Sequence, residues 1–264
     1  MSLADLEWRV IGEETRPGPM TMALEAAAAE TVVAGGPATV RVYSWPDTLS
    51  LGYGQDPDTI DWAFCEREDV GVTRRPTGGG AIYHDSTADI SYGIIAPADA
   101  VPGDLMACYE QFCEPVLEAF ERMGVDASFA DDERSAVHQP ACYLRQLHPA
   151  HDIVGPDGRK LSGNAQYRQK DAVIQHGSLS VSLRPDRHCG CFTADPDSER
   201  FSERVGAIDE YADIDRAEAV ETLRSTLAEW VDATEGSWTD NETERAREHA
   251  RDKFDADEWI RRSP

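Results

Sequence analysis

Three glycines in succession, Gly78, Gly79 and Gly80, interrupt a stretch that otherwise reads as strand. Val70–Arg74 precedes them, and AIYH followed by ADISYGIIA carries the strand pattern onward. Glycine loses more backbone entropy on folding than any other residue. A triplet between strands therefore marks a place where the chain needs positive φ or where another group must touch its backbone. The spacing matches neither the Walker loop nor the dinucleotide fingerprint. It does offer N–H groups able to hold a carboxylate or phosphate, with Arg74 and Arg75 beside them to add charge-assisted bonds. A plain hairpin turn is the alternative.

The remaining chain supplies both periodicities. The start reads as a short strand, a turn at Arg16–Pro19 and an alanine-rich helix over Met22–Val33. TVRVYSW and TLSLGYG, separated by Pro46-Asp47, suggest a hairpin or paired strands, and Asp58–Glu68 a short helix. Between Asp104 and Met123, Leu105, Cys108, Phe112, Val116, Leu117 and Phe120 recur at three- and four-residue steps, one buried helical face. Ala141–Ser182 returns to strands, through HDIV, a Gly155–Gly158 turn, RKLSGNAQ and AVIQHGSLSVSL. These patterns predict an α+β class, a mixed and largely antiparallel sheet with packed helices. With 264 residues and 41% hydrophobic content, one globular domain over 1–264 is expected, its charged part from about 209 helical around Ala219, Leu223, Leu227, Trp230 and Val231.

A formal net charge of −25 argues against nucleic acid and anionic membranes as partners and suggests adaptation to a salty, halophilic cytoplasm. No run approaches a membrane span, and the start lacks a secretory pattern, so the expected location is cytoplasmic. Six cysteines in such a chain are expected as free thiols. Cys189 and Cys191 in HCGC lack a second spaced pair, and no metal ligand is assigned.

A second unusual segment is Gly158-Arg159-Lys160-Leu161-Ser162-Gly163-Asn164-Ala165-Gln166, followed by Gln175-His176-Gly177-Ser178. Lys160 is one of only three lysines among 25 basic residues. Keeping a lysine where arginine is the rule suggests a compact ammonium reaching a phosphate or an acyl carbonyl, or else a surface lysine beside a turn. Together RRPTGGGAIYHD, GRKLSGNAQ and QHGSL resemble the biotin/lipoate A/B protein ligase superfamily, in particular lipoate–protein ligases of the A type and the related octanoyltransferases. MALE (Met22–Glu25), TLSLGYGQ and DEWIRR fit the same resemblance. It implies a fold with a sheet-lined acyl tunnel, Lys160 on the carboxyl and phosphate oxygens, and Gly78, Gly79 and Gly80 bordering the acyl-adenylate. Arg74, Arg75, Tyr83, His84, Asp85, Ser162, Gly163, Asn164, Gln166, His176 and Gly177 are the accompanying candidates for substrate or ATP binding.

The family divides here. A ligase activates lipoate or octanoate with ATP and Mg²⁺ and transfers it to a lysine of a lipoyl-domain or glycine-cleavage-H-type carrier; Gly80 resembles that pattern and tilts the expectation toward it. This length suggests that a ligase would need a separate accessory subunit. One octanoyltransferase branch instead carries a nucleophilic cysteine where Ala141-Cys142-Tyr143 stands, and Cys142 would take octanoyl from an acyl-carrier protein as a thioester, without ATP or any cofactor. A buried structural thiol is the plainer fate of Cys142. A non-catalytic acyl-binding homologue is the third possibility.

Overall fold

A computed structural model describes residues 2–131, 133–148, 151–194 and 196–264. The strands are β1 (Trp8–Thr15), β2 (Ala38–Ser44), β3 (Thr48–Leu51), β4 (Gly71–Arg74), β5 (Ile82–His84), β6 (Asp89–Pro97), β7 (Ser128–Phe129), β8 (Asp152–Val154), β9 (Lys160–Arg168), β10 (Ala172–Ser180) and β11 (Thr234–Glu235). The helices are α1 (Gly18–Val33), α2 (Trp62–Arg67), α3 (Leu105–Arg122), α4 (Pro185–Gly190), α5 (Ser198–Arg204), α6 (Arg216–Trp230), α7 (Asp240–His249) and α8 (Asp257–Ile260). Eight strands form one sheet in the order β11-β1-β2-β6-β10-β9-β8-β7, and β4-β3-β5 form a second. Pairing is antiparallel except for β1 with β2 and β11, and β3 with β4. The α+β class read from the sequence is what the chain adopts.

Local expectations shift in three places. β2 and β3 do not pair, because the chain leaves the large sheet at Trp45-Pro46 and β3 joins the small one. Proline cannot donate to a ladder, so the corner ends one strand instead of closing a hairpin. The first helix begins at Gly18, earlier than expected, since Pro19 sits in its first turn, where a fixed φ and a missing N–H cost nothing. Residues Cys142–Leu144 form a 3₁₀ turn, so the strand run begins only at β8, and the charged tail includes the short strand β11.

Strand parity separates two functions. Cross-strand partners share a face. On one face of the large sheet, Val40 and Val42, Ile90, Tyr92 and Ile94, and Val173 and Leu179 pack with Phe112, Val116 and Phe120 of α3 and Leu223 and Leu227 of α6. On the other, the register aligns Arg41, Gly93, His176 and Ala165 in one row and Tyr43, Ser91, Ser178 and Gly163 in the next. Ala165, Ser91, Ser178 and Gly163, the small residues at these positions, leave space above the sheet. The small sheet and its glycine segment close over that space.

Candidate functional site

A cavity of about 400 Å³ lies between the sheet face that carries Ser178 and Gly163 and the glycine segment, within the usual range for small-molecule sites. Its wall includes Trp45, Arg75, Gly78, Gly79, Ile82 and His84 on one side and Lys160, Gly163, His176, Gly177 and Ser178 on the other. The glycine bend and the lysine therefore share one hollow.

Backbone contact explains the glycines. A Cβ on Gly52 would stand 2.0 Å from the Gly79 carbonyl oxygen, and one on Gly80 would stand 2.6 Å from the Pro140 oxygen and 2.8 Å from the Cys142 nitrogen. Gly79 also has φ of +96°, a region that other residues enter at a cost. Gly80 does not itself line the cavity. Its bare backbone admits the Cys142 segment, which is tied down by Ala81 N–H to Pro140 O and Cys142 N–H to Ala81 O, both 2.8 Å. Among the described residues, the amides of Gly78 and Gly79 donate to no protein acceptor.

Arg75 and Arg74 serve the scaffold. Buried Arg75 donates to the Gly80 carbonyl at 3.0 Å, the Gly78 carbonyl at 3.3 Å and Ser50 Oγ at 2.8 Å, so it shapes the loop from within the cavity wall. Arg74 is placed away from the cavity. Its guanidinium donates to the carbonyls of Gly52, Tyr53, Gln55, Ile260 and Arg262, clamping the DEWIRR segment onto β4.

Lys160 is buried, and its Nζ lies 2.7 Å from Asp152 Oδ1. Burial alone would lower the lysine pKa, but the Asp152 charge outweighs it and raises it. Burial likewise pushes Asp152 up, yet Lys160 and His151 hold its carboxyl well below the usual range. The second carboxylate oxygen accepts the His148 N–H at 2.9 Å. A register irregularity opposite Ile153–Val154 stands where Lys160 leaves the ladder, and bulges re-aim side chains in this way. A Cβ on Gly163 would sit 3.3 Å from Lys160 Nζ and 3.7 Å from Cys142 Sγ, so ammonium and thiol converge on one point above the sheet.

Two buried hydrogen-bond chains hold the cavity's inner histidines. His176 Nδ1 bonds Glu25 Oε2 at 2.8 Å and Nε2 bonds Thr77 Oγ1 at 2.9 Å, linking α1 through β10 to the glycine segment. Burial opposes ionisation of Glu25, but His176 and Arg41 keep its pKa lowered. His84 Nε2 bonds Ser50 Oγ at 2.8 Å, Nδ1 bonds Asp89 Oδ2 at 2.5 Å, and the ring stacks on Trp45 at 4.3 Å. Burial drives the His84 pKa well down and the Asp89 pKa well up, so the pair favours its uncharged form.

The remaining candidates divide. Gly163, Asn164, Gln166 and Gly177 line the cavity. Ser162 is fully buried and does not reach it. Tyr83 and Asp85 border a separate small hollow with His188; Asp85 caps the following turn through the Thr87 and Ala88 amides. Arg74, Gly80, Tyr83, Asp85 and Ser162 thus stand outside the cavity; for Tyr83, flanked by the lining residues Ile82 and His84, the reason is that alternate strand residues face opposite ways. Sequence reasoning missed Glu25, Asp152, Arg145, Ser178 and His151. The available signals were carboxylates inside apolar segments (MALE, HDIV) and the run 134–151, which has no acidic residue in a chain carrying 50. Cys65, Cys189 and Cys191 are buried together in the core beneath the small sheet. No described helix is long and apolar enough to cross a membrane.

Residues 17–228 match the Lipoyl protein ligase A/B catalytic domain family. The octanoyltransferase LipM of Geobacillus kaustophilus is 32% identical, covering 96% of this chain and 97% of its own. That of Anoxybacillus flavithermus is 30% identical, with 96% and 97% covered. Among solved structures, lipoate-protein ligase A bound with ATP superposes with a TM-score of 0.80 at 23% identity, covering 97% and 99% of the two chains. The bi-partite lipoate protein ligase of Thermoplasma acidophilum, described with its E2 lipoyl domain, gives 0.80 at 22%, covering 97% and 96%.

Proposed function

The chain belongs to the Lipoyl protein ligase A/B catalytic domain family and is an enzyme of the lipoyl ligase and transferase type, and we propose that within it the protein is an octanoyltransferase working through Cys142. The observation that carries this reading is the convergence of Cys142 Sγ and Lys160 Nζ on Gly163 inside the acyl-sized cavity. The relatives that align along its length are octanoyltransferases, which supports the same reading.

The chemistry follows from these groups. The Cys142 thiol gives up its proton, the thiolate attacks the carbonyl carbon of an octanoyl thioester on an acyl-carrier protein, and the donor's C–S bond breaks; its sulfur leaves as the thiol, taking up one proton in place of the one Cys142 released. Lys160, held cationic by Asp152, favours the thiolate and stabilises the negative charge that develops on the tetrahedral oxygen, and the Gly78 and Gly79 amides are further donors on the wall. A lysine amine of a lipoyl-domain or glycine-cleavage-H-type carrier then attacks acyl-Cys142, giving the amide and freeing the sulfur.

Gly80, which tilted the sequence reading toward a ligase, has a second explanation in the docking of Pro140 and Cys142 against it. The pairing of the lining charges among themselves also supports a reading without MgATP. Lys160 is paired, Arg75 is saturated by loop carbonyls, and Asp152, the single carboxylate among the described lining residues, is already engaged by Lys160. No step above uses ATP or Mg²⁺.

The deciding experiment supplies an apo lipoyl domain with octanoyl-acyl-carrier thioester alone, or with free octanoate or lipoate plus MgATP. Intact-mass analysis should show an octanoyl adduct on the enzyme, absent in Cys142→Ala, and amide transfer from the thioester without ATP. Transfer only from free acid with ATP would establish the ligase instead.

A further inference from the structure

Attack by the carrier lysine requires a neutral amine, and near pH 7 well under about 1% of a free lysine is neutral. Some group must take that proton. Lys160 is unsuited, because Asp152 at 2.7 Å holds it as an ammonium. His84 and His176 have both ring nitrogens engaged by buried partners. His151 differs. Its side chain is 32% exposed, so it reaches solvent as well as the cavity it lines, and its Nδ1 stands 3.6 Å from Asp152 Oδ1, beyond a hydrogen bond.

We infer that His151 is the proton acceptor that frees the carrier lysine for attack on acyl-Cys142, an assignment that rests on the octanoyltransferase reading above. Asp152 organises both halves of the chemistry: Oδ1 faces the Lys160 ammonium and the His151 ring. The ring is held in place. Asn164 Nδ2 donates to the His151 carbonyl at 2.8 Å, His148 stacks on the ring at 4.9 Å and 7°, and Tyr109 of α3 tilts against it at 5.2 Å. The ionisable groups around it are Asp152, His148, Tyr109 and, across the same cavity, Lys160, Cys142 and Arg145. The imidazolium formed here would face the Asp152 carboxylate.

The step balances. One proton passes from the incoming ammonium to His151. The freed nitrogen lone pair attacks the thioester carbon, the C–S bond breaks, and its electron pair returns to Cys142 Sγ. The second nitrogen proton leaves with that sulfur as the thiol, completing the amide.

The test uses full-length enzyme loaded from octanoyl-acyl-carrier thioester. Single-turnover release is compared for an apo lipoyl domain and for hydroxylamine, whose nitrogen is already neutral near pH 7. In His151→Gln, transfer to the lysine should slow by about 10²-fold, the scale of general base catalysis, while loading and release by hydroxylamine stay near wild type. Added imidazole should restore lysine transfer in His151→Ala, which separates lost chemistry from lost folding. Equal slowing with both nucleophiles, no slowing with either, or the same selective defect in His148→Gln instead of His151→Gln would overturn the assignment. Failure of the underlying reading would show earlier and separately, as the absence of an octanoyl adduct on Cys142 of the wild-type enzyme before any nucleophile is added.

Discussion

Replacing Asp152 with asparagine probes the ion pair on which the site depends. The carboxylate accepts from Lys160 Nζ at 2.7 Å through one oxygen and from the His148 amide at 2.9 Å through the other, and both side chains of the pair are at most 4% exposed. The substituted carboxamide would keep one acceptor oxygen, so one of these bonds is lost and the buried ammonium has no counter-charge. Removing one partner of a buried pair costs about 3–5 kcal/mol. The surviving acceptor places this case near 3 kcal/mol, roughly 6–12 °C in melting temperature for a domain of this size. Thermal melts of wild type, Asp152→Asn, Lys160→Met and the double variant at pH 7 provide the assay. The double variant should recover much of the stability while acyl transfer stays lost. The pH dependence has a definite sign. Asp152 has a depressed folded pKa, so its contribution is complete above the ordinary carboxylate pKa and fades as pH falls below it. Lys160 has a raised pKa, so its contribution is present at neutral pH and is lost as pH rises through the folded value. The gap between wild type and Asp152→Asn should therefore narrow below about pH 4. A single variant as stable as wild type, or a double variant with the full sum of both losses, would refute the reasoning.

Gly80→Ala places a methyl 2.6 Å from the Pro140 oxygen and 2.8 Å from the Cys142 nitrogen, displacing the residue proposed above as nucleophile; octanoyl-adduct formation should slow by up to about 10²-fold, read by rapid-quench mass spectrometry. Thr77→Val removes the partner of His176 Nε2 at 2.9 Å and should cost about 1–3 kcal/mol, read as a lower denaturant midpoint with an unchanged slope. Burial pushes the Glu242 pKa up, but hydrogen bonds from Arg9, Thr239 and Thr31 outweigh it and hold it at about 2. Its contribution is thus present above the ordinary carboxylate pKa and lost as pH falls toward about 2. Glu242→Gln should show a smaller loss of stability between pH 5 and pH 2, ranges set by about the same two pKa values.

The legible part of this site lies in residues whose type is unusual for its place. Three adjacent glycines and a rare lysine stand out in any reading of the chain, and both segments border the cavity. Motif membership did not reveal which neighbours point inward: Gly163 and His176 do, while Ser162 and Tyr83 do not. That choice follows from strand parity and from the irregularity beside Lys160, which are fixed only once strands pair.

The sequence alone determined the class of fold, because apolar period and proline or glycine punctuation are local properties that persist in any context. It also set the expectation, through the resemblance their motifs carry, that the glycine segment and Lys160 share one site; both line the same cavity. Only the tertiary structure decided that Asp152 holds Lys160, that Gly80 makes room for Cys142, and that Arg74 clamps the distant Ile260 and Arg262 carbonyls. Each of those joins residues that are not neighbours along the chain, and the energy of a buried charge depends on the partner that packing brings beside it.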